Sequence, residues 1–264
     1  MPSSPDQSLA IVDLHSHLVP GVDDGAASIP ESLTALARLY EEGVRTMVTT
    51  PHLLMPRLES NAAISRELDT HRHAFDQLMK AAAGRQDLPA LALGQEIWAP
   101  DASSVRRIAR RPDVGLNGIF LLVEFGFELQ GTHTDVIREV LDAGRQIVIA
   151  HPERYEYLPG HQPLELMRRW QESGALLQVN VGSLNGHYTR SSPGSEELAW
   201  QMVGMGLVDV LASDHHGPRR AGVSPREALD TLIARGELAL ARRAMVETPG
   251  LIVGGDLVAS RLPR

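Results

Sequence analysis

Two histidines stand one residue apart where an apolar stretch of the chain ends. The stretch "AIVDL" (10–14) is followed at once by His15 and His17, and shortly afterwards by the adjacent Asp23 and Asp24. Side chains at positions i and i+2 of a strand point the same way, so the two imidazoles are aimed at one point. Because imidazole and carboxylate groups are common metal ligands, this spacing raises the hypothesis of a metal site.

Polar side chains that can bind metals recur where later apolar stretches end. They are His52, Glu96, Glu124, His151, Asn180, Asp214, His215 and His216. One histidine or glutamate in such a place is more often a hydrogen-bonded structural residue than a ligand. The whole set is hard to explain in that way, because unrelated strand ends would not all carry imidazole or carboxylate. The pattern therefore predicts a shared metal centre.

The apolar stretches that precede these residues have the composition of buried strands, and helix-like segments separate them. The predicted strands are 10–14, 46–50, 90–96, 119–124, 146–150, 176–180 and 209–213. The predicted helices are 29–43, 60–84, 101–110, 132–144, 163–174, 194–206 and 226–246. This alternation predicts an α/β fold, a closed or nearly closed barrel of seven βα units, although a doubly wound open sheet has the same alternation. In a barrel, the carboxyl ends of all strands meet at one face, where active sites are built.

Composition limits the classes of function. The 264 residues include 43% hydrophobic residues and no linker, which predicts one domain over 1–264 with frayed tails at 1–8 and about 257–264. A formal charge of −8 argues against nucleic acid as a partner. No apolar run approaches the roughly 20 residues of a membrane span, which argues against membrane insertion. The first residues also lack the features of a secretory signal, so we expect a cytoplasmic protein.

The types of donor indicate which ions would bind and which mechanisms are excluded. The chain contains no cysteine, so a cysteine nucleophile is excluded. Imidazole and carboxylate without thiolate suit Mn, Fe or Zn, and so many donors exceed the needs of one ion. We therefore expect two or three divalent metal ions. An amidohydrolase barrel whose ions share a carbamylated lysine is excluded, because the single lysine, Lys80, falls in a predicted helix. Single-metal and carboxylate-bridged forms of that barrel stay open.

An ordered series of segments resembles the PHP (polymerase and histidinol phosphatase) superfamily, and more closely its bacterial capsule-type, manganese-dependent protein-tyrosine phosphatases. The resemblance covers about 11–220. It rests on "DLHSHLVPGVDDGA", "EEGVRTMVTTPH", "GQEI", "LLVEF", "IAHPERY", "LLQVNVGSL" and "ASDHH". It implies a distorted TIM-like barrel of the PHP type with seven βα units, and a centre of up to three metal ions in which Mn is preferred and Fe or Zn are alternatives.

The resemblance also implies particular ligands. They are His15, His17, Asp24, His52, Glu96, Glu124, His151, Asp214 and His216. Asp24 is chosen over Asp23 because the aspartate of the family stands immediately before glycine. The spacing alone does not separate the two, and we expect a turn role for Asp23.

Arginines near the metals would bind the phosphoryl group. "HPERY" places Arg154 three residues after His151, and the resemblance implies that this guanidinium contacts phosphate. A surface ion pair with a neighbouring glutamate, Glu153 or Glu156, is the structural alternative. A second arginine of the family follows the last motif, where "DHHGPRRAG" offers both Arg219 and Arg220. In the Gly- and Ser-rich loop 182–194, His187, Tyr188 and Arg190 are candidates for substrate contact, but we expect them to be exposed to solvent.

The expected reaction is hydrolysis of a phosphomonoester by metal-activated water. The resemblance implies a phosphotyrosine protein as the partner, namely a bacterial tyrosine kinase that controls exopolysaccharide or capsule synthesis, and it leaves a homo-oligomer open. Two alternatives remain. One is another phosphoesterase of the superfamily, a histidinol phosphatase or a nuclease. The other is a barrel that binds a partner without catalysis.

Overall fold

A computed structural model describes residues 9–129 and 131–255. The tails predicted at 1–8 and 257–264 lie outside the described residues. The strands are β1 Ile11–Asp13, β2 Val44–Thr49, β3 His52–Leu54, β4 Ala90–Leu93, β5 Glu96–Trp98, β6 Phe120–Glu124, β7 Glu128–Leu129, β8 Gln146–Ala150, β9 Glu156–Tyr157, β10 Leu176–Asn180 and β11 Val210–Ala212. The helices are α1 Ile29–Glu41, α2 Asn61–Ala82, α3 Ala102–Arg106, α4 Thr134–Asp142, α5 Pro163–Glu172, α6 Ser195–Gly204, α7 Pro225–Ala234, α8 Leu238–Arg242 and α9 Thr248–Gly254.

The strands pair in parallel throughout and follow one another around a barrel. One sheet has the order β1-β2-β4, and a second has the order β11-β10-β8-β6-β5-β3. Only two residues separate β2 from β3, and only two separate β4 from β5, so each pair is one bent strand that passes from the first sheet to the second. A parallel bridge between Ser16 and His215 brings the end of the last strand beside the first. The fold is therefore the predicted distorted barrel of seven βα units and not a doubly wound open sheet.

A glycine lies at the bend in the third strand. A Cβ atom on Gly94 would lie 2.5 Å from the Leu116 side chain, so a larger residue would force Leu116 to shift. Beyond the bend, β5 begins at Glu96 and pairs with β3, which begins at His52. The two bent strands therefore place both side chains at the same level of the barrel.

Alternation along the strands separates the two apolar layers. On β6, Leu121 and Val123 belong to the layer between strands and helices, whereas Phe120 and Leu122 belong to the layer inside the barrel. Glu124 continues the second set, because residues two apart on a strand share a face. Ile252 of α9 packs into the inner layer, which α9 thereby helps to fill. Neither α9 nor the two-stranded sheet of β7 and β9 was predicted.

The predicted helix 226–246 is wrong as a continuous element. It is divided into α7 and α8, and Gly236, with a φ of +84°, lies between them. Glycine adopts this left-handed conformation without the cost that a Cβ atom would add. Over the ranges 9–129 and 131–255, no helix has both the length and the apolar character needed to cross a membrane.

Candidate metal centre

The nine side chains predicted as ligands meet at the carboxyl ends of the strands. Their donor atoms form four groups that share members, and within each group the donor atoms lie within 4.8 Å of one another. The groups are His17, Asp24, His52 and His216; His15, Glu96 and His151; His15, His17 and Asp214; and His52, Glu96 and Glu124. We call these nine residues the metal cluster. The structure thus brings together residues that are up to about two hundred positions apart in sequence.

His15 is held by a chain of side-chain amides. Its Nδ1 atom lies 2.9 Å from Gln178 Oε1, the amide of Gln178 donates to Asn180 Oδ1, and the amide of Asn180 donates to Asp214 Oδ2. A carboxylate only accepts, so the direction of each bond follows and His15 donates from Nδ1. The Nε2 atom, which faces His17 and Glu96, therefore keeps its lone pair for a metal.

The two adjacent aspartates have different roles. Asp23 accepts from His17 Nδ1 at 2.7 Å and from the backbone N–H of Gly25, which is the predicted turn role together with an orienting contact to His17. The side chain of Asp24 is 59% exposed, and its Oδ1 atom lies 3.4 Å from Nε2 of both His52 and His216. Asp24 is therefore the aspartate that faces the metal cluster.

Glu96 occupies the centre of the metal cluster. Its oxygens lie 2.9 Å from His52 Nδ1 and His151 Nε2, and 3.3 Å from the Nε2 atoms of His15 and His17. The carboxylate is buried, which opposes its ionised form, but the nearby imidazoles outweigh burial and hold the pKa of Glu96 well below its usual range. A carboxylate whose two oxygens face different imidazoles is placed to bridge two ions.

The carboxylates of the metal cluster favour positive charge at its centre. Burial opposes the charged form of His52, yet Glu96 and Asp24 raise its pKa to about 10. The pKa of His17 is raised well above its usual value by Asp214, Asp23 and Glu96 in the same way, against burial. Such carboxylates draw positive charge into a buried site, and a metal ion can take the place of the proton. The buried imidazole and carboxylate donors therefore fit divalent ions of the Mn, Fe or Zn type.

Two ligand candidates have pKa values set mainly by burial. Burial, with a smaller contribution from Glu96, raises the pKa of Glu124 to about 7. Burial lowers the pKa of His151 to about 4, which keeps this imidazole in the neutral form that binds metals. His151 also has a φ of +34°, and Asp214 has a φ of +52°. Left-handed backbone is uncommon outside glycine, although His and Asp adopt it more often than most residues, and it often occurs at functional sites.

Arg154 is buried and pairs with the metal cluster. Its Nη1 atom lies 2.8 Å from Asp214 Oδ2, so the alternative of a surface ion pair with Glu153 or Glu156 is wrong. Glu153 instead points inward, where it accepts from the N–H of Asn180 and from the hydroxyl of Ser183.

The second arginine beside the metal cluster is Arg220. It donates to the same Asp214 oxygen as Arg154, and both arginines line a pocket above the metal cluster. Arg219 is exposed and donates to the backbone carbonyl of Asp24 at 2.7 Å. The geometry therefore favours Arg220 over Arg219 as the arginine that faces a substrate.

Tyr188 lies between these arginines. The guanidinium carbons of Arg154 and Arg220 are 4.3 Å and 5.5 Å from its ring centroid. The ring is 3% exposed, so the expected solvent exposure is wrong for Tyr188, whereas His187 and Arg190 are exposed as predicted. The ring packs against both guanidinium groups and also belongs to the main apolar core, and both sets of contacts bury it.

A pocket of about 270 Å³ opens above the metal cluster. Besides Arg154, Arg220 and seven members of the metal cluster, it is lined by Leu54, Trp98, Gly126 and Phe127. Trp98, Phe127 and Gln178 were not predicted as site residues from the sequence. The signal for Gln178 was present, since a polar residue two positions before Asn180 on a buried strand must face the same side.

The protein is a βα barrel with a candidate metal centre at the carboxyl ends of its strands. The profile of the family described as "Capsular polysaccharide synthesis, CpsB/CapC" matches residues 11–253. The chain belongs to this family.

Two curated proteins named tyrosine-protein phosphatases are similar to this chain over most of their length. The chain is 29% identical over 225 residues to the tyrosine-protein phosphatase YwqE of Bacillus subtilis, covering 84% of each protein. It is 27% identical over 253 residues to the tyrosine-protein phosphatase CpsB of Streptococcus pneumoniae, covering 94% of this chain and all of CpsB.

Solved structures show the same fold. A chain from the crystal structures of YwqE from Bacillus subtilis and CpsB from Streptococcus pneumoniae, described as metal-dependent tyrosine phosphatases, matches with a TM-score of 0.70 at 24% identity. The match covers 94% of this chain and 96% of that one. An organophosphorus hydrolase variant from Deinococcus radiodurans matches with a TM-score of 0.53 at 15% identity, covering 94% of each chain.

Proposed function

We propose that this protein is a metal-dependent phosphatase that removes phosphate from phosphotyrosine in proteins. One observation carries this proposal: in a chain of the CpsB/CapC family, nine imidazole and carboxylate side chains form one cluster, and seven of them line a pocket together with two arginines. Two relatives that are named tyrosine-protein phosphatases match this chain over most of their length, which supports the same activity.

The metal cluster would hold two or three divalent ions, with Mn²⁺ preferred. Glu96 and Asp214 are the candidates for shared ligands, because each faces several imidazoles. Ions bound there would supply an activated water as nucleophile and would neutralise charge on the phosphoryl oxygens. No cysteine is available for that role, since the chain has none.

The side chains of the pocket would bind and orient the phosphate ester. Planar guanidinium groups match phosphoryl oxygens through paired hydrogen bonds, and Arg154 and Arg220 both reach the pocket. Tyr188 packs against both groups and limits their movement. A tyrosine leaving group has a pKa of about 10, so it departs with little help from a general acid.

The substrate that fits this family is a phosphorylated bacterial tyrosine kinase of the capsule or exopolysaccharide pathway. The description of the family as one of capsular polysaccharide synthesis supports this partner, as do the tyrosine-phosphatase names of the relatives. A second cavity of about 570 Å³ adjoins the pocket and shares Asp24, His52 and Leu54 with it. It offers space for the residues that flank the phosphotyrosine.

A comparison of substrates tests the proposal. The Mn²⁺-loaded protein would be assayed on a phosphotyrosine peptide, the matched phosphoserine peptide, histidinol phosphate and single-stranded DNA, with His151→Ala as control. We expect the phosphotyrosine peptide to be turned over fastest and the variant to be inactive. Faster turnover of histidinol phosphate or DNA would move the protein to another activity of the superfamily. No turnover of any substrate would favour a barrel that only binds.

A further inference from the structure

Phe127 is an exposed aromatic side chain at the edge of the metal pocket. It lines the pocket, yet 49% of its surface is open to solvent, more than for any other large apolar side chain among the described residues. Leaving apolar surface in water is unfavourable, and an exposed aromatic ring beside a functional site is typical of ligand contact. The proposed chemistry of metals and arginines does not account for this ring.

The ring lies close to the groups that would hold phosphate. Its centroid is 6.3 Å from that of the His151 ring, and the two planes differ by only 15°. The guanidinium carbon of Arg154 lies 5.2 Å from the same centroid. A group attached to a phosphate bound by Arg154 would therefore lie beside Phe127.

The surrounding backbone holds Phe127 in place. The N–H of Glu156 donates to the Phe127 carbonyl at 2.6 Å, next to the pairing of β7 with β9. Gly126 has a φ of +96°, and a Cβ atom on it would lie 3.0 Å from Trp98 Nε1. The indole of Trp98 therefore packs against the backbone just before Phe127, and the two aromatic residues line the same pocket together with Leu54.

We propose that Phe127, supported by Trp98 and Leu54, forms an aryl-binding wall that selects phosphate esters of phenols over those of alcohols. The inference rests on the proposed function and adds the residue that determines its specificity. In an aryl phosphate the ring is one oxygen atom away from phosphorus, so it can pack against Phe127 while Arg154 holds the phosphoryl group. Aromatic rings gain from offset or edge contacts beyond simple burial. A phosphoserine ester has no ring to fill this space.

Inhibition by non-hydrolysable phosphonates measures this contact without the effect of the leaving group. The inhibition constants of phenylphosphonate and methylphosphonate would be determined for the Mn²⁺-loaded wild type, Phe127→Leu and Phe127→Tyr. We expect the wild type to prefer phenylphosphonate and Phe127→Leu to lose roughly three- to tenfold of this preference. Phe127→Tyr should keep it, and methylphosphonate should bind all three proteins equally.

Leu158→Ala is the matched control. Leu158 is 41% exposed and follows β9, but it is not among the residues that line the pocket, so the preference should stay unchanged. On a phosphotyrosine peptide, Phe127→Leu should raise KM with kcat unchanged, because the ring is held equally in the ground state and the transition state.

The outcomes separate this inference from the proposed function. An unchanged preference in Phe127→Leu would overturn the aryl-binding wall. An equal loss for both phosphonates would overturn it as well, because the ring would then act by holding Arg154. If the wild type prefers phenylphosphonate and the variant does not, but phosphotyrosine is not hydrolysed, the wall stands and the proposed activity is wrong.

Discussion

Asp214 connects the metal cluster with the two arginines of the pocket through its two oxygens. Its Oδ2 atom lies 2.8 Å from Arg154 Nη1, whereas its Oδ1 atom lies 3.5 Å from His15 Nε2 and 3.4 Å from His17 Nε2. Arg220 shares the Oδ2 atom. One carboxylate at the end of the last strand therefore fixes the position of the arginines relative to the imidazoles.

The first prediction concerns the geometry of Arg154. Arg154→Lys keeps the charge but loses the planar fork that donates to Asp214 and to a phosphoryl group at once. We expect kcat/KM on a phosphotyrosine peptide to fall on the order of 10²-fold, the effect of losing one donor that stabilises transition-state charge. The matched control is Arg219→Lys, which is exposed and should retain activity. An unchanged kcat/KM in Arg154→Lys would contradict the proposed phosphate contact.

The second prediction concerns the amide chain that orients His15. Gln178→Leu removes the acceptor of the His15 Nδ1–H bond while keeping a similar size. Loss of such an orienting partner typically weakens metal affinity 10- to 100-fold. Titration of the metal-free protein with Mn²⁺ by calorimetry should show this loss. Gln201→Leu, on an exposed face of α6, should bind like the wild type. Equal affinity in Gln178→Leu would mean that His15 needs no such partner.

The third prediction concerns pH and Glu153. Burial raises the pKa of this carboxyl to about 7 in the folded protein, so folding takes up a proton between about pH 4.5 and 7. The unfolded state binds fewer protons in that window, and stability therefore falls as pH rises through it. In the wild type, the free energy of unfolding should fall by about 2–3 kcal/mol between pH 5 and 8 because of Glu153. In Glu153→Gln this fall should be absent.

Chemical unfolding of the metal-free wild type and variant at several pH values measures this difference. Gln can still accept from Asn180 and Ser183 through its Oε1 atom, so the variant should match the wild type near pH 5 and exceed it at pH 8. Parallel pH profiles for the two proteins would show that Glu153 is ionised in the folded state at all of these pH values.

The fourth prediction concerns the loop that carries Asp24. A Cβ atom on Gly25 would lie 1.9 Å from the His17 carbonyl oxygen, so Gly25→Ala must shift the loop relative to His17. We expect a loss of about 1–3 kcal/mol in stability, which is typical of overpacking, together with weaker Mn²⁺ binding. Gly204→Ala is the control, because nothing lies within 4 Å of its Cβ position in α6. Equal thermal unfolding midpoints for the two variants would contradict the close contact between Gly25 and the His17 carbonyl.

The strand ends could be predicted from the sequence because two simple rules apply to them. Residues such as Glu124 continue the inward face of a strand, and parallel strands deliver their carboxyl ends to one face of a barrel. The choice between Asp23 and Asp24 could not be derived in this way. It depends on how the loop folds back so that Asp23 reaches His17, which is a tertiary contact.

The apolar wall of the pocket and the burial of Tyr188 had no local signal. Trp98 is the last residue of β5 and Phe127 lies between β6 and β7, where aromatic residues usually belong to the core. Their place in the pocket depends on the bend before β5 and on the close approach of Gly126 to Trp98. Tyr188 stands in a Gly- and Ser-rich loop, a composition typical of exposed segments. Its burial comes from tertiary contacts with the apolar core and with two arginines that are distant in sequence.

The most direct measurement is the phosphotyrosine phosphatase rate of protein freed of metal by chelation, with metal content verified by elemental analysis and then restored in steps. We expect no activity without metal, and recovery with Mn²⁺ that is complete at two or three equivalents. We expect no recovery with Ca²⁺, which prefers oxygen ligands. Full activity in protein verified as metal-free would contradict the proposed metal dependence.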